Sequence, residues 1–401
     1  MTEHKPAIAV AANALPDPGA PMGHFVSDAP FDPNEAEKTS SAQVRYAQAS
    51  QLQLMWWEFR KHRVALYSGI FLILMYATVF VSEFLAPYSQ QARNTDFIYA
   101  PPQSIHLFHE GKFIGPFVYG RDQKLDMENL QRKYTDNLTD VQPIRFLCRG
   151  DDYMFWGLIP GNLHLICPAK GGQMFLLGTD RLGRDVLSRI IYGARISLTI
   201  GIFGVTMSFI LGIVIGGLAG YHGGWFDALT QRLIEVLQSI PSIPLWMALA
   251  AIIPVTWSPI LVYVGITLIL GLLDWTGLAR AVRSKLLALR EEDFVLAARL
   301  MGAGSGRIIR RHLIPGFMSH LIASATLTIP AMILGETALS FLGIGLRAPI
   351  SSWGILLTEA RSINILALYP WLMLPVIPVI AVILAFNFLG DGLRDAADPY
   401  K

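Results

Sequence analysis

Six apolar stretches of about twenty residues each recur along the chain, and nothing else in it restricts the fold as strongly. They lie at about 64–86, 196–219, 233–253, 259–279, 319–341 and 367–389. At 1.5 Å rise per residue, about twenty residues cross the hydrocarbon core of a bilayer as a helix. Lipid offers no hydrogen-bond partner, so a run of this kind must satisfy its backbone internally. Composition agrees: 53% of the 401 residues are hydrophobic and only 15% are charged, against about 25% charged in soluble domains. The expected fold is therefore an all-α polytopic membrane protein with six transmembrane helices. A net charge of +2 gives no global reason to expect a nucleic-acid partner.

Basic residues near span ends are retained on the cytoplasmic side. Arg60, Lys61 and Arg63 precede the first run, which places the N-terminus inside. With six crossings, the loop 280–318, carrying Arg280, Arg283, Lys285, Arg290, Arg299, Arg307, Arg310 and Arg311, is also inside, as is the C-terminus. Arg181, Arg184, Arg189 and Arg195 oppose the rule before the second run, at the end of a long loop where the rule has least force.

Residues 1–50 are Ala-, Pro- and polar-rich and read as a disordered cytoplasmic tail. Residues 51–63, with Trp56, Trp57 and a basic cluster, suit an interfacial lead-in helix contacting membrane lipid. Between the first two runs, 87–177 is broken by Gly, Pro and Asp into short apolar and aromatic pieces, which reads as a small β-rich exterior insertion of short strands and turns. It holds the chain's two cysteines, Cys148 and Cys167. An oxidising compartment allows a disulfide between them, worth roughly 3 kcal/mol by the chain-entropy relation. Two small buried hydrophobes would read the same way.

No enzyme constellation emerges. There is no Walker-type phosphate loop; Gly302–Arg307 is glycine-rich but lacks the preceding strand and the Lys-Ser/Thr ending. The nine histidines show no metal-ligand spacing, and His106 and His109 near Glu110 read as surface residues. Glu336 lies toward the outer end of the fifth run, where an acid is costly and is either functional or a structural hydrogen-bonding group. Asp274 is expected near the inner end of the fourth.

The cytoplasmic stretch VLAARLMGAGSGRIIRRHLIP, residues 295–315, spaces Phe294, Leu296, Ala297, Leu300 and Met301 as an amphipathic helix with Arg299 facing away. Gly302, Gly304 and Gly306 permit a sharp turn, and a second basic helix leads to Pro315. A topology signal needs the charge but not Ala297, Ala298 and Gly302, which offer a surface for close backbone approach by a partner. Upstream, Thr179 or Asp180 is placed to cap a helix whose Arg181, Arg184, Asp185 and Arg189 face water. Trp353 is expected in an outer interfacial loop.

These residues resemble a known family. Ala297-Ala298-x-x-x-Gly302 ending in Ile314-Pro315 is similar to the EAA loop of permease subunits of binding-protein-dependent ABC importers, with Leu296 where that loop's glutamate stands. GTDRLGRDVLSRIIYGARISL (178–198), LSFLGIGLRAPISSWGILLTEAR and FNFLGDGLRDAADP resemble the dipeptide, oligopeptide and nickel branch, in the six-span, C-type member of the permease pair. The likeness covers about 178–399. It implies a type I importer permease fold in the bacterial inner membrane, with Leu296, Ala297, Ala298, Gly302, Arg310, Ile314 and Pro315 in an ATPase-coupling loop. It also implies a second homologous permease, two ABC ATPase subunits that bind ATP and Mg, and a periplasmic solute-binding protein; this chain itself holds no cofactor. Asp180, Arg184, Asp185, Glu336 and Trp353 are candidates for an outer gate or pathway, or for packing. Peptide is the expected cargo, with an oligosaccharide or another small solute as the alternative. A secondary transporter or a membrane-anchored enzyme is the reading from another class.

Overall fold

The computed structural model describes residues 49–128 and 131–397, so the expected N-terminal tail as far as residue 48 and the closing Asp398-Pro399 lie outside the described residues. Helix α1 (Gln51–Lys61) ends on Arg60 and Lys61. At His62 the chain turns, and the ring's Nδ1 accepts the N–H of Ala65 at 3.2 Å to start α2 (Arg63–Phe80). Ala65, Ser68, Leu72 and Val79 form the buried stripe of α2, while Tyr67, Ile70, Ile73 and Leu74 stay exposed on the other side, as on a span facing lipid. The apolar stretch expected to run to residue 86 breaks at Val81 and resumes as a single turn, α3 (Ser82–Leu85).

A β-rich segment follows. Strands β1 (His106–His109), β2 (Lys112–Asp126) and β3 (Gln131–Pro143) form one antiparallel sheet in that order, and β4 (Arg145–Phe155) pairs with β5 (Ile159–Cys167) in a separate hairpin. The strands are longer than the expected short pieces, because polar residues such as Asp122, Asp136 and Thr139 sit on exposed strand faces and do not end them. A disulfide joins Cys148 to Cys167 across the base of the hairpin. His106 and His109 lie on β1 against Phe117 and Tyr119, not in a loop.

Two long helices dominate the remainder, α4 (Val186–His222) and α7 (Pro259–Leu289). At 37 and 31 residues, each is longer than the about twenty residues that cross a bilayer. They approach closely along Gly212, Gly216 and Gly220, which lie four residues apart on one face of α4. A Cβ on Gly216 would stand 2.3 Å from the carbonyl oxygen of Ala279, and one on Gly220 would stand 2.7 Å from that of Arg283. Small residues at this spacing let membrane helices gain van der Waals contact where lipid provides no hydrophobic drive.

The third expected span, 233–253, is not one straight helix. It is α5 (Gly224–Ser239) and α6 (Ser242–Ala250), bent by 88° at Ile240-Pro241. Pro241 and Pro244 lack the N–H groups that a continuous ladder needs. Helices α8 (Asp293–Leu300), α9 (Met318–Phe341), α10 (Trp353–Glu359), α11 (Ile363–Leu368) and α12 (Val376–Ala396) complete the chain. Five segments among the described residues are long and apolar enough to cross a membrane, and the bent pair makes a sixth if it is one span. Asp274 falls in the middle of α7, which continues past the expected span to Leu289.

Candidate functional site

The loop after α7 folds back on the spans. Val295 and Ala298 of α8 are buried with Leu278, Val282 and Leu286 of α7 and with Ile308, Leu313 and Phe317 beyond the turn. The expected apolar face is thereby divided. Phe294, Leu296, Leu300 and Met301 point outward, with Leu300 88% and Met301 81% exposed, and Ala297 is exposed beside them.

Ala298 is buried and not on the surface expected of it, while Gly302 is exposed, and both close the end of the helix. The N–H of Ala303 donates to the carbonyl of Ala298 at 3.0 Å, and that of Gly302 to the carbonyl of Arg299 at 3.0 Å. This paired closure is a Schellman motif, which needs a left-handed residue after the helix; Gly302 supplies it with φ +82. A Cβ at Gly302, Gly304 or Gly306 would meet nothing within 4 Å. Gly302 is thus required by its backbone angle, and no neighbour within this chain restricts it; Gly304 and Gly306 do not take positive φ.

The expected second basic helix is a short α-turn (Ser305–Ile308) followed by a π-turn (Ile309–Leu313) and a last turn holding Ile314 and Pro315. Ile308, Ile309 and Leu313 are buried, whereas Arg307, Arg310, Arg311 and Pro315 line an open cleft of about 670 Å³. The loop therefore presents an apolar helix face and a cationic rim on a rigidly packed base.

The five outer candidates are all buried, and they fall into two clusters. In the first, Asp180 accepts the N–H groups of Leu182 at 2.7 Å and Arg184 at 3.0 Å. Its other oxygen pairs with Arg184 Nε at 2.6 Å and with Arg189. Glu359, the last residue of α10, receives Arg189 at 2.9 Å and Arg184 at 3.3 Å. Two cations and two anions thus pin the segment before α4 to α10. Removing one partner of such a buried set typically costs 3–5 kcal/mol, because a charge is left without compensation.

The expectation that Arg184, Asp185 and Arg189 face water is corrected by this pairing; their exposures are 8%, 5% and 3%. The helix cap is Asp185, not Thr179 or Asp180: its carboxylate accepts both the N–H and the hydroxyl of Ser188 at 2.7 Å. Thr179 instead bridges strand-like to Asp185 and accepts the N–H of Ala100 at 2.7 Å. Glu359 carried no sequence signal, since its partners lie 170 and 175 residues away.

The second cluster joins Glu336 and Trp353. Glu336 is fully buried in α9 and accepts hydroxyls from Ser352 at 2.7 Å, Ser340 at 2.8 Å and Ser197 at 3.1 Å. Ser197 in turn accepts the backbone N–H of Trp353 at 3.2 Å, and the indole N–H donates to the carbonyl of Ile190 at 3.1 Å. Trp353 is therefore not in an interfacial loop; it opens α10 and is 0% exposed, wedged against Gly193 of α4. Both clusters hold α4, α9 and α10 together, and of the five side chains Asp185 alone borders a small cleft, with Tyr88, Asn94 and Asp151.

One stretch absent from the expected sites lines an open surface. All residues from Ser239 to Pro244, SIPSIP, are exposed at the α5–α6 break, and Gln238 before them is half-buried. Gln238 donates to Thr276 of α7 at 3.2 Å, and Trp246 lies against Gly335 of α9, which puts the break between those levels along the spans. Its sequence signal is the pair of prolines inside an apolar run.

Comparison with known proteins places this geometry. Residues 212–400 match the family described as binding-protein-dependent transport system inner membrane component, and residues 50–102 match the N-terminal transmembrane domain of oligopeptide transport permease C. All five strands fall between the two matches. The chain is 41% identical over 223 residues to a dipeptide transport system permease protein of Alkalihalophilus pseudofirmus, covering 55% of this chain and 71% of the relative. It is 40% identical to a glutathione transport system permease protein of Pectobacterium atrosepticum, over 56% of this chain and 72% of the relative. It is 35% identical to an oligopeptide transport system permease protein of Bacillus subtilis, over 55% and 70%. A solved inward-facing MetNI methionine ABC transporter aligns with a TM-score of 0.42 at 18% identity, over 53% of this chain and 97% of that one. On its match to that family and its identity to the three permease relatives, the chain belongs to the family of inner-membrane components of binding-protein-dependent transport systems.

Proposed function

We propose that this chain is the C-type permease subunit of an ATP-driven peptide importer of type I fold, with both termini in the cytoplasm and the β-rich segment in the periplasm. The observation that carries the coupling role is the outward apolar face of α8. Val295 and Ala298 fix the helix to the spans, while Leu300 and Met301 project from it. A helix so anchored transmits displacement as a rigid body instead of absorbing it. A groove on an ATPase subunit would receive that face, and acidic residues beside the groove would pair with Arg307, Arg310 and Arg311. ATP and Mg are then bound by two such partner subunits, and a second permease and a solute-binding protein complete the assembly.

Peptide as cargo rests on the names of the relatives. The exposed QSIPSIP break supports a pathway at the same level: irregular backbone within a membrane is tolerated only against protein or a water-filled cavity. Two substitutions on the exposed face, Leu300→Asp and Met301→Asp, test the proposal in the assembled complex. The ATPase subunits should fail to co-purify and dipeptide uptake should stop, with membrane expression unchanged. Retention of both at normal level would refute the coupling role. Uptake of a labelled sugar but not a peptide by the wild-type assembly would refute the cargo alone.

A further inference from the structure

The turn between β4 and β5 is held at a defined depth. Trp156 and Gly157 have φ of +52 and +70, and the N–H of Leu158 donates to the carbonyl of Phe155 at 3.0 Å. Two consecutive left-handed residues make the tight hairpin connection usually built from Asn-Gly, and a bulky aromatic there is uncommon. The indole is held from several sides. Its Nε1–H donates to the carbonyl of Phe80 at 3.0 Å, the Trp156 backbone N–H donates to Glu83 at 3.2 Å, and the guanidinium of Arg195 lies 4.2 Å over the ring.

Phe80 is the last residue of α2, and its carbonyl is among the four that a helix end leaves without an internal partner. The hairpin turn therefore sits at the level where the first span ends. Around it Met154, Leu158 and Ile159 are 52%, 80% and 62% exposed, next to Phe80 at 61%. The Trp156 and Phe80 rings are 5.9 Å apart. Facing water, these side chains would form a costly apolar patch. At the end of a span they meet the zone into which indole and aliphatic groups partition. The exposed face of α2 beneath them, Tyr67, Ile70, Ile73 and Leu74, is apolar, as a lipid-facing surface requires, while on its other side the turn borders a polar cleft in which Met154 and Gly157 stand beside Glu83, Asp152 and Arg195.

We propose that the turn Met154–Ile159 is a second, non-spanning membrane anchor, which inserts Trp156, Leu158 and Ile159 into the leaflet where α2 ends. It fastens the hairpin to the bilayer surface, independently of the transport reading. The disulfide carries that attachment from β4 to the base of β5.

Because the two native cysteines are bonded to each other, Leu158→Cys provides a single free thiol for an environment-sensitive fluorophore. The labelled subunit, in its full complex, is reconstituted into phosphatidylcholine–phosphatidylglycerol vesicles. The lipids carry a nitroxide either near the glycerol end or near the chain terminus, and iodide serves as the aqueous quencher. The shallow nitroxide should quench about twofold or more than the deep one, as insertion near the headgroup boundary requires. Absence of nitroxide quenching overturns the proposal: with strong iodide quenching the turn lies in water, and with none it is covered by protein.

Discussion

Glu336 offers the sharpest test of how this permease is held together. Three serine hydroxyls, from α4, from α9 itself and from the residue before α10, converge on one fully buried carboxyl. Glu336→Ala leaves all three without that acceptor, and each buried unsatisfied donor costs about 1–3 kcal/mol. Even at the lower bound the loss is about 3 kcal/mol before any cavity is counted. Glu336→Gln keeps one oxygen for Ser340 and Ser352, and its amide can donate to Ser197, whose second lone pair is free to accept; the expected loss is about 1 kcal/mol. At about 2–4 °C per kcal/mol, the alanine variant should melt about 6–12 °C below wild type and the glutamine variant about 2–4 °C below. The assay is loss of the monodisperse peak on fluorescence-detected size exclusion after heating the solubilised complex. An alanine variant that melts with wild type would refute the reasoning. Equal losses for the two variants would also refute it, because charge and not hydrogen-bond count would then be the relevant quantity.

Two further outcomes follow from the same geometry. Gly302→Ala places a Cβ in the left-handed region at about 1–2 kcal/mol of strain but meets no neighbour; the complex should assemble with its ATPases yet import less per ATP hydrolysed, and full coupling would show that the helix ending is irrelevant. Burial alone would raise the Glu83 carboxyl, but hydrogen bonds from Arg195, its own backbone N–H and that of Trp156 hold it below the usual carboxylate value. Its stabilisation is therefore complete above the unfolded value and lost as pH falls through the folded one. Glu83→Gln should flatten the acid limb of the melting-temperature profile, and an unchanged limb would remove Glu83 from the hairpin's attachment.

Being a member of this family makes the chain a transport subunit, not an enzyme, and much of that was legible before any coordinates. Apolar runs near bilayer length announce themselves because lipid satisfies no backbone group. The small residues and proline of 295–315 stood out against a stretch that needed only charge. What sequence spacing misjudged was which side of each amphipathic segment is covered. Ala298 looked like docking surface and is core; Arg184, Asp185 and Arg189 looked wet and are buried; Trp353 looked interfacial and is wedged against α4.

The reason is physical. Periodicity reports that a helix has two faces, but a neighbouring element distant in sequence decides which face it covers, and ion pairs over 170 residues leave no local trace. The chain's own order of residues determined that it crosses a membrane and that the chain turns at Gly302, but not that the third apolar run is broken. Only the tertiary structure decided that Glu336, three serines and Trp353 meet in one cluster. It alone decided that Glu359 completes the ion pairs, and that a hairpin turn rests on the end of the first span, because each depends on contacts that packing creates and sequence distance conceals.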